Sequence, residues 1–335
     1  MHSSLSLCNH EGVPVTGKLN PAVLRLLTKT SPCVCTGGLK EGNGLMGLQK
    51  QISSGDFVVM AEMNTPKGVD ITEMVTSARR INERVDAVII PDMDNGVMRM
   101  SALAGGFLMN QQGIEAIIHV YGRDRNRMAL QGDILAAHVL GIQNLLVVHG
   151  EDMSYGDHAD AKPVDDLDEL GLLNALRSLQ GGADLAGFEL KGSPDFTVGC
   201  TMGPAADERT LEKELDLTRK KIEAGAQYVI TPPVFDPEPF RVFMEKAEGL
   251  KVPIIPTVFL LKTVGIARYM ATYEPGTHIS EELIRRIRRA PDREMEGIKI
   301  AGETIKELKG LAQGVRIVTL GWEHRLPAIL DHAGL

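Results

Sequence analysis

Polar side chains follow the short apolar runs of this sequence, each close to the point where a run stops. Glu62 follows the run Phe57–Ala61 in the segment DFVVMAEMNTPKG, and His119 follows another such run. Carboxyl and imidazole groups are the side chains that most often transfer protons in catalysis. The same arrangement recurs at Asp92, Asp94, Asn95, His149, Gly150, Glu151, Asp152, Thr231, Trp322, Glu323 and His324. These groups form one site only if the fold brings the ends of the runs together.

The apolar runs predict strands that are covered on both faces. Each run is short, rich in Val and Ile, and apolar at consecutive positions, which is typical of parallel strands buried between helices. The predicted strands are Phe57–Met63, Ala87–Pro91, Ala116–His119, Asn144–His149, Phe196–Thr201, Tyr228–Thr231, Ile254–Phe259 and Arg316–Leu320.

Segments with helical periodicity fill the intervals between the predicted strands. In DITEMVTSARRINERV the apolar residues Ile71, Met74 and Ile81 fall on one face, and Gly225 ends a second helix of this kind. Several strand starts lie about 26 to 33 residues apart, which is the length of one strand–helix unit with its loops. The longer intervals predict an extended loop after the fourth strand and an extra helix at Ser280–Arg289.

Eight units of strand and helix predict a (β/α)₈ TIM barrel for residues 51–335, preceded by an irregular N-terminal extension of residues 1–50. A doubly wound open sheet is the alternative, but no G-x-G-x-x-G sequence opens a helix here, so the dinucleotide-binding fingerprint is missing. In a barrel the carboxyl ends of the strands surround one mouth, where the chemistry takes place. The polar residues after the strands should therefore converge, unless they are polar only because strand ends face solvent.

The composition excludes several classes of protein. The chain has 335 residues, 43% of them hydrophobic, and a formal net charge of −8. An acidic chain without a long basic run is a poor nucleic-acid binder, and no apolar run reaches the roughly 20 residues of a membrane-spanning helix. The N-terminus lacks the features of a secretory signal, and four cysteines in a chain of this length do not form a disulfide framework. We therefore expect a cytoplasmic protein that neither binds nucleic acid nor spans a membrane.

Several longer motifs occur in order at the predicted strand ends. They are HVYGRDRNRMALQGDILAAHVLGI, VVHGED, GDHADAKPVDDLDELGLL, DLAGFELKGSPDF, LTRKKIEAGAQYVITPPVFD and TLGWEHRLPAIL. Together with the acid at Glu62, these motifs resemble the methylenetetrahydrofolate reductase family, from Phe57 to the C-terminus.

The resemblance implies a flavoprotein oxidoreductase of one-carbon metabolism and methionine biosynthesis. Its reaction reduces 5,10-methylenetetrahydrofolate to 5-methyltetrahydrofolate. FAD is the implied cofactor, with FMN as the alternative. The electron donor is NADH, NADPH or a partner protein, and the chain acts alone, as a homo-oligomer or with a partner subunit.

Glu62 matches the family's general acid, which protonates N10 of the folate so that the five-membered ring opens. A carboxyl group at the end of an apolar strand, beneath a flavin and a pterin, loses hydration. Loss of hydration raises its pKa, so that the group holds a proton at pH 7 and can donate it. A solvated glutamate at the rim, or one paired with Lys67, is the alternative.

The resemblance also implies which residues contact the cofactor. His119 and the segment after the fourth strand match residues along the flavin ring, whereas Glu214 and two adjacent lysines match residues near its ribose and phosphates. The implied cofactor-binding residues are His119, Val148, His149, Gly150, Glu151, Asp152, Gly199, Glu214, Lys220 and Lys221. For the two lysines, a solvated helix face is the alternative.

Two positions depart from the family pattern. Many members carry Gln after the sixth strand, where its amide contacts the folate, and this chain has Pro232 there. Proline has no side-chain donor, so the pterin must be held differently or the substrate is another tetrahydropterin. At the fourth strand the family's usual Asp is replaced by Glu151, followed by Asp152.

The sequence is also compatible with two other functions and with one potential metal site. The chain could be a pterin-binding barrel methyltransferase that passes a methyl group to a corrinoid protein, or a non-catalytic scaffold subunit. Cys8, His10, Cys33 and Cys35 are potential zinc ligands, but their spacing differs from that of common zinc modules. We therefore expect no metal site.

Overall fold

The protein folds as a closed barrel of parallel strands. The computed structural model describes residues 47–274 and 276–335. The strands are β1 (Val58–Glu62), β2 (Ala87–Ile90), β3 (Glu115–Val120), β4 (Asn144–Val147), β5 (Thr197–Thr201), β6 (Tyr228–Pro233), β7 (Ile254–Phe259) and β8 (Gly314–Val318). They pair in chain order, and β8 pairs with β1 to close the sheet. The predicted (β/α)₈ TIM barrel is confirmed.

Helices alternate with the strands and cover the outside of the barrel. They are α1 (Gly47–Ser54), α2 (Thr72–Ile81), α3 (Ala102–Gln111), α4 (Arg127–Val139), α5 (Glu169–Gln180), α6 (Glu208–Glu223), α7 (Pro237–Ala247), α8 (Val264–Tyr273), α9 (Glu281–Arg289), α10 (Arg293–Leu308) and α11 (Leu326–Ala333). The extra helix predicted before the last strand is α9. Every helix within the described residues is too short or too polar to cross a membrane.

The N-terminal extension predicted for residues 1–50 lies almost entirely outside the described residues. The four potential zinc ligands fall in the same segment. The last four residues of the predicted extension, 47–50, belong to α1.

The apolar core has two layers, because alternate residues of each strand point to opposite sides. Val59 and Ala61 of β1 pack outward against the helices, whereas Val58 and Met60 point into the barrel. The inner layer consists of Leu48, Val58, Met60, Ala87, Ile89, Ile117, Tyr121, Leu146, Val148, Tyr228, Ile230 and Ile255. Glu62 shares the inward-facing side with Val58 and Met60, so it stands above this layer at the carboxyl end of β1.

Helix α1 closes the opposite, N-terminal end of the barrel. Leu48 is 1% exposed and belongs to the inner layer. Its backbone N–H donates to both carboxylate oxygens of Glu115, at 3.2 Å each, at the start of β3. Gln51 donates to Asp86 at 2.5 Å, just before β2. These contacts fix α1 beneath the strands, away from the polar mouth.

The last strand begins two residues earlier than predicted. The prediction was Arg316–Leu320, and the structure has Gly314–Val318. Leu320 has φ of 50°, which strand geometry does not allow, and it lies in the loop after β8. Arg316 is therefore in the middle of a buried strand, where its Cα is paired with those of Met60 and Thr257 on the two neighbouring strands.

Candidate active site

The centre of the barrel mouth holds a buried ion pair between Glu62 of β1 and Arg316 of β8. Arg316 Nη2 donates to Glu62 Oε2, and the two side chains are 17% and 7% exposed. Val315 and Ile317 point outward, so strand alternation directs Arg316 inward toward Glu62. Lys67, the alternative partner for Glu62, instead pairs with Asp157. Glu62 is therefore neither a solvated rim residue nor a partner of Lys67.

Burial raises the pKa of Glu62 above its usual value. Arg316 opposes the increase, because its positive charge and its hydrogen bond favour the carboxylate, and the negative charge of Asp94 reinforces it. Burial outweighs the ion pair. The pKa of Glu62 is therefore shifted in the direction that favours a proton donor.

A second acidic group, Asp94, lies in the loop after β2. Burial raises the pKa of Asp94 to about 6, and the carboxylate of Glu151 adds to the increase, whereas Arg316 and Arg99 oppose it. Glu151 also accepts a hydrogen bond from the backbone N–H of Asn95 at 3.3 Å. The loops after β2 and β4 therefore bring the carboxylates of Asp94 and Glu151 together, and Asp94 lies close enough to Glu62 to raise its pKa.

His119 lies at the carboxyl end of β3 and points into the barrel between the outward-facing Ile118 and Val120. Burial is the main cause that holds the pKa of His119 well below its usual value, and the nearby positive charge of Arg316 lowers it further. The imidazole is therefore neutral. Its Nε2 atom is buried and has no hydrogen-bond partner among the described residues.

The segment after β4 places its predicted site residues in different environments. Val148 is buried in the inner layer, whereas the His149 side chain is 86% exposed, with Nδ1 3.9 Å from Glu169 Oε2. A Cβ on Gly150 would lie 2.7 Å from Cβ of Arg123, so glycine leaves room for that side chain. Asp152 caps the turn Met153–Tyr155 by accepting from Ser154 N at 2.8 Å.

Arg123 joins the loops after β2, β3 and β4. Its guanidinium donates to the Met93 carbonyl at 2.9 Å, to the Tyr121 hydroxyl at 2.9 Å and to the Glu151 carbonyl at 3.1 Å. The Arg123 side chain is only 3% exposed. Since it binds two backbone carbonyls from different loops, Arg123 fixes the position of Glu151 relative to the loop that carries Asp94.

The predicted residues on β5 and α6 do not all lie at the mouth. Gly199 faces the barrel interior, and the ring of Tyr228 occupies the space that a side chain at residue 199 would need. Lys221 is 2% exposed and donates to Glu169 Oε1 at 2.5 Å and to the Thr201 carbonyl at 2.9 Å. Lys220 is exposed. Glu214 accepts from Gly203 N at 3.0 Å, in the loop after β5.

The structure thus brings together one part of the predicted set. Glu62, His119 and Glu151 lie around the mouth, and Val148 forms part of the layer beneath it. Gly199 is buried against the ring of Tyr228. Lys221 is buried and donates its hydrogen bonds to Glu169 and to the Thr201 carbonyl. Whether any of these residues binds a cofactor stays a prediction.

Sequence reasoning missed Arg316 and Arg123. The predicted strand begins at Arg316, and a charge is common at the first residue of a strand. Its signal was the isolated charge within the apolar run GVRIV. Arg123 lies within the motif HVYGRDRN but carried no assigned role. Within residues 47–274 and 276–335, no group of three or more His, Cys, Asp or Glu side chains could hold a metal ion.

Among the solved structures that resemble this fold, two are similar over most of the chain. A protein from Clostridium thermocellum, described as uncharacterized and as binding two copies of 5-methyl-5,6,7,8-tetrahydrofolic acid, superposes with a TM-score of 0.57 at 15% identity. The match covers 85% of this chain and 97% of that one. EDTA monooxygenase from Chelativorans sp. BNC1 gives a TM-score of 0.50 at 10% identity, covering 83% and 94% of the two chains. At these identities the likeness shows the fold alone.

Sequence comparison identifies the family. Methylenetetrahydrofolate reductase 2 of Schizosaccharomyces pombe is 25% identical over 236 residues, which are 66% of this chain and 36% of that protein. The chain therefore matches about a third of the length of this relative. The sequence also matches the methylenetetrahydrofolate reductase family over residues 47–334. Because that match spans nearly all of the barrel, the chain belongs to the methylenetetrahydrofolate reductase family.

Proposed function

We propose that this protein is a flavin-dependent oxidoreductase that reduces 5,10-methylenetetrahydrofolate to 5-methyltetrahydrofolate, with Glu62 as the general acid. Membership of the family supports a folate substrate. The observation that carries the proposal is the buried Glu62 at the barrel mouth, whose pKa burial raises. A carboxyl group of this kind is suited to protonate a nitrogen atom of a bound substrate.

The residues at the mouth fit a flavin. His119 presents a buried Nε2 atom that has no partner in the described residues, so a polar atom of a bound ring would satisfy it. His119 and the segment 148–152 would hold the ring, whereas Glu214 and Lys220 are the groups available to its ribose and phosphates. Lys221 is committed to Glu169 and Thr201, so it would support this region without direct contact. When bound, the flavin supplies the hydride.

Glu62 would hold the proton that N10 of the folate accepts as the five-membered ring opens. Arg316 has two effects on this step. Its hydrogen bond orients the carboxyl group, and its charge limits how far burial raises the pKa of Glu62. Asp94 acts in the opposite direction, since its negative charge favours the protonated form of Glu62. After donation, Arg316 would stabilise the carboxylate that remains.

The folate must be bound without the amide that many family members provide. Pro232 lies in β6, next to an irregularity in the pairing of β6 with β7 between Ile230 and Pro233.

The electron donor of the proposed reaction is NADH, NADPH or a partner protein. The protein would act alone, as a homo-oligomer or together with a partner subunit.

The absorption spectrum of the purified protein tests the cofactor. The expected result is a yellow protein with the two visible bands of oxidised flavin. Denaturing the protein would release the flavin, which can then be identified as FAD or FMN. Anaerobic reduction with NADH, NADPH and a low-potential artificial donor would then identify the class of donor. A colourless protein that neither FAD nor FMN reconstitutes would instead favour a pterin-binding methyltransferase or a scaffold subunit.

Glu62→Gln tests the general acid. The amide cannot donate the proton, so we expect folate reduction to slow by about 10²- to 10⁴-fold, whereas reduction of the flavin by its donor persists. Both half-reactions are measured by anaerobic stopped-flow absorbance. Glu245→Gln, an exposed site on α7, is the control and should behave as the wild type. Wild-type folate turnover in Glu62→Gln would remove Glu62 from the mechanism.

A further inference from the structure

A cavity lies beside the mouth of the barrel, between the loops after β1, β2 and β8 and one face of α2. Its volume is about 390 Å³, within the range of small-molecule sites. Glu73, Met74 and Ser77 of α2 form one wall, since residues three and four apart share a helix face. We call this space the side cavity. Neither Glu62 nor any of the implied cofactor-binding residues lines it.

The walls of the side cavity carry an excess of negative charge. Four carboxylates line it, against the single guanidinium of Arg99; they are Asp70, Glu73, Asp94 and Glu323. One carboxylate oxygen of Asp70 is already hydrogen-bonded, because Oδ1 accepts from Thr72 N at 3.0 Å at the start of α2. Glu73 has no ion-pair or hydrogen-bond partner among the described residues. Acids near a helix N-terminus are common by themselves, so the charge alone does not define a site.

Two buried side chains provide independent evidence for a ligand. Glu323 is 8% exposed and Ser77 is 6% exposed, and both line the side cavity. Glu323 Oε1 accepts from Thr319 Oγ1 at 3.2 Å and from Gly321 N at 3.1 Å, whereas Oε2 has no partner in the described part of the chain. The Ser77 hydroxyl likewise has no partner there. These two atoms are not themselves enclosed, and because both residues line the side cavity, a ligand bound there can reach them.

The arrangement of the acids decides the kind of ligand. Within residues 47–274 and 276–335, no three acidic, histidine or cysteine side chains are grouped closely enough to hold a metal ion. Most unpaired atoms that line the cavity accept hydrogen bonds, and the surrounding charge is negative. The exceptions are the Ser77 hydroxyl, which can also donate, and Arg99 Nε, a buried donor without a partner in the described residues. An organic cation with several N–H groups satisfies both conditions, because it donates hydrogen bonds and neutralises carboxylates.

We infer that the side cavity binds a small organic cation of the amine or amidine class, held by Glu73, Ser77 and Glu323. Burial raises the pKa of Glu323, and a bound cation would return that carboxyl group toward its ionised form. The site lies beside the proposed flavin and folate positions. It does not depend on the proposed reaction, since none of these three residues takes part in it.

Benzamidine and its neutral analogue benzamide test the inference on the full-length protein. The two molecules have the same shape, but only benzamidine is charged and donates from both nitrogens. Isothermal titration calorimetry should show saturable binding of benzamidine and at least about tenfold weaker binding of benzamide. Benzoate, which carries the opposite charge, should not bind.

Variants then place the probe in the side cavity. Glu73→Gln removes an exposed charge without disturbing a contact, and it should weaken benzamidine binding by about three- to tenfold. Glu323→Gln should weaken it further. Glu245→Gln on α7 lines no part of the cavity and should bind benzamidine as the wild type does. If benzamidine and benzamide bind equally, if neither binds at millimolar concentration, or if Glu73→Gln has no effect, the inference is wrong. Loss of flavin or folate binding would leave these results unchanged.

Discussion

The pair of Glu62 and Arg316 shows how one side chain sets the chemistry of another. A carboxylate buried without a partner costs several kcal/mol, and so does a guanidinium. Each charge makes the other tolerable, yet burial still raises the pKa of Glu62. If residue 316 were a lysine, or if the pair lay at the surface, burial and the partner charge would shift the pKa of Glu62 by different amounts. The proton affinity of Glu62 is therefore a property of the pair.

Arg316→Met should expose the cost of burying Glu62 alone. Without its partner the carboxylate is uncompensated, so the free energy of unfolding should fall by about 3–5 kcal/mol at pH 8. At pH 5 the loss should be smaller, because the pKa of Glu62 rises further and the group takes up a proton. Urea denaturation at the two pH values measures the difference.

The control for Arg316→Met is an exposed pair. Arg219 and Asp216 on α6 are 47% and 67% exposed. Arg219→Met should change the free energy of unfolding by no more than about 0.5 kcal/mol at either pH. An equal loss for Arg316→Met at pH 5 and pH 8 would show that lost packing, and not the charge of Glu62, explains its effect.

Asp94→Asn should stabilise the protein above pH 6. The pKa of Asp94 is raised to about 6 in the folded state, above the usual value of 3.8, so folding favours its protonated form. Between these pH values the native state binds more protons than the unfolded state, and stability declines as the pH rises. The asparagine removes this penalty. We expect a gain of about 1–3 kcal/mol at pH 8 and almost none at pH 4, measured by urea denaturation. A gain of the same size at both pH values would contradict the assignment.

At the residue scale, the sequence predicted the site residues that follow strands and missed those that lie inside a strand or a loop. Glu62 and His119 follow apolar runs, so their place at the mouth could be foreseen. Arg316 lies inside a strand and Arg123 inside a loop, and their importance depends on partners from distant segments. Lys221 shows the converse, because a lysine in a polar helix gave no sign that it would be 2% exposed.

At the element scale, the strands were predictable because buried parallel strands are apolar at consecutive positions. All eight were located, and every predicted bound agrees within two residues. β8 was displaced because Gly314 disfavours a strand in isolation, whereas apolar residues continue as far as Leu320. Pairing with β1 and β7 overrides these preferences. Strand bounds thus depend on neighbours that the local sequence does not contain.

The pairing of β5 with β6 depends on one glycine. Gly199 and Tyr228 are register partners, and the tyrosine ring fills the space above the glycine. Gly199→Ala would place a methyl group into that ring, so the free energy of unfolding should fall by about 1–3 kcal/mol. In a Tyr228→Leu background the same substitution should cost less, which a double-mutant cycle measures. Equal costs in the two backgrounds would show that Tyr228 is not the obstacle.

Tyr228→Phe is the matched control for this pair. The hydroxyl of Tyr228 is buried and has no partner within the described residues. Removing an unpaired polar group leaves no partner unsatisfied, so the change should be neutral or slightly stabilising, by up to about 1 kcal/mol. A marked loss of stability would reveal an interaction of the hydroxyl, such as a buried water.

At the scale of the whole molecule, the two ends of the barrel have different tasks. The carboxyl end gathers Glu62, Asp94, His119 and Arg316, whereas the amino end is closed by α1 and its contacts with Glu115. In barrels of this type the carboxyl end carries activity and the amino end carries stability. The fold class and the end that carries chemistry follow from the order of strands and helices, which the sequence shows directly.

The separation of the two ends predicts that stability can be changed without changing turnover. Leu48 is 1% exposed within the inner layer of the barrel, so Leu48→Ala should lower the free energy of unfolding by about 2–5 kcal/mol. The rate of the proposed folate reaction per folded molecule should match the wild type below the unfolding transition, because the mouth lies at the other end of the strands. Lys50→Ala, at an exposed site on the same helix, should alter stability by less than about 0.5 kcal/mol. Denaturation and steady-state assays on the three proteins measure both quantities. Reduced turnover in Leu48→Ala at temperatures where it is fully folded would mean that α1 influences the mouth through the barrel interior, and the two ends would then not be independent.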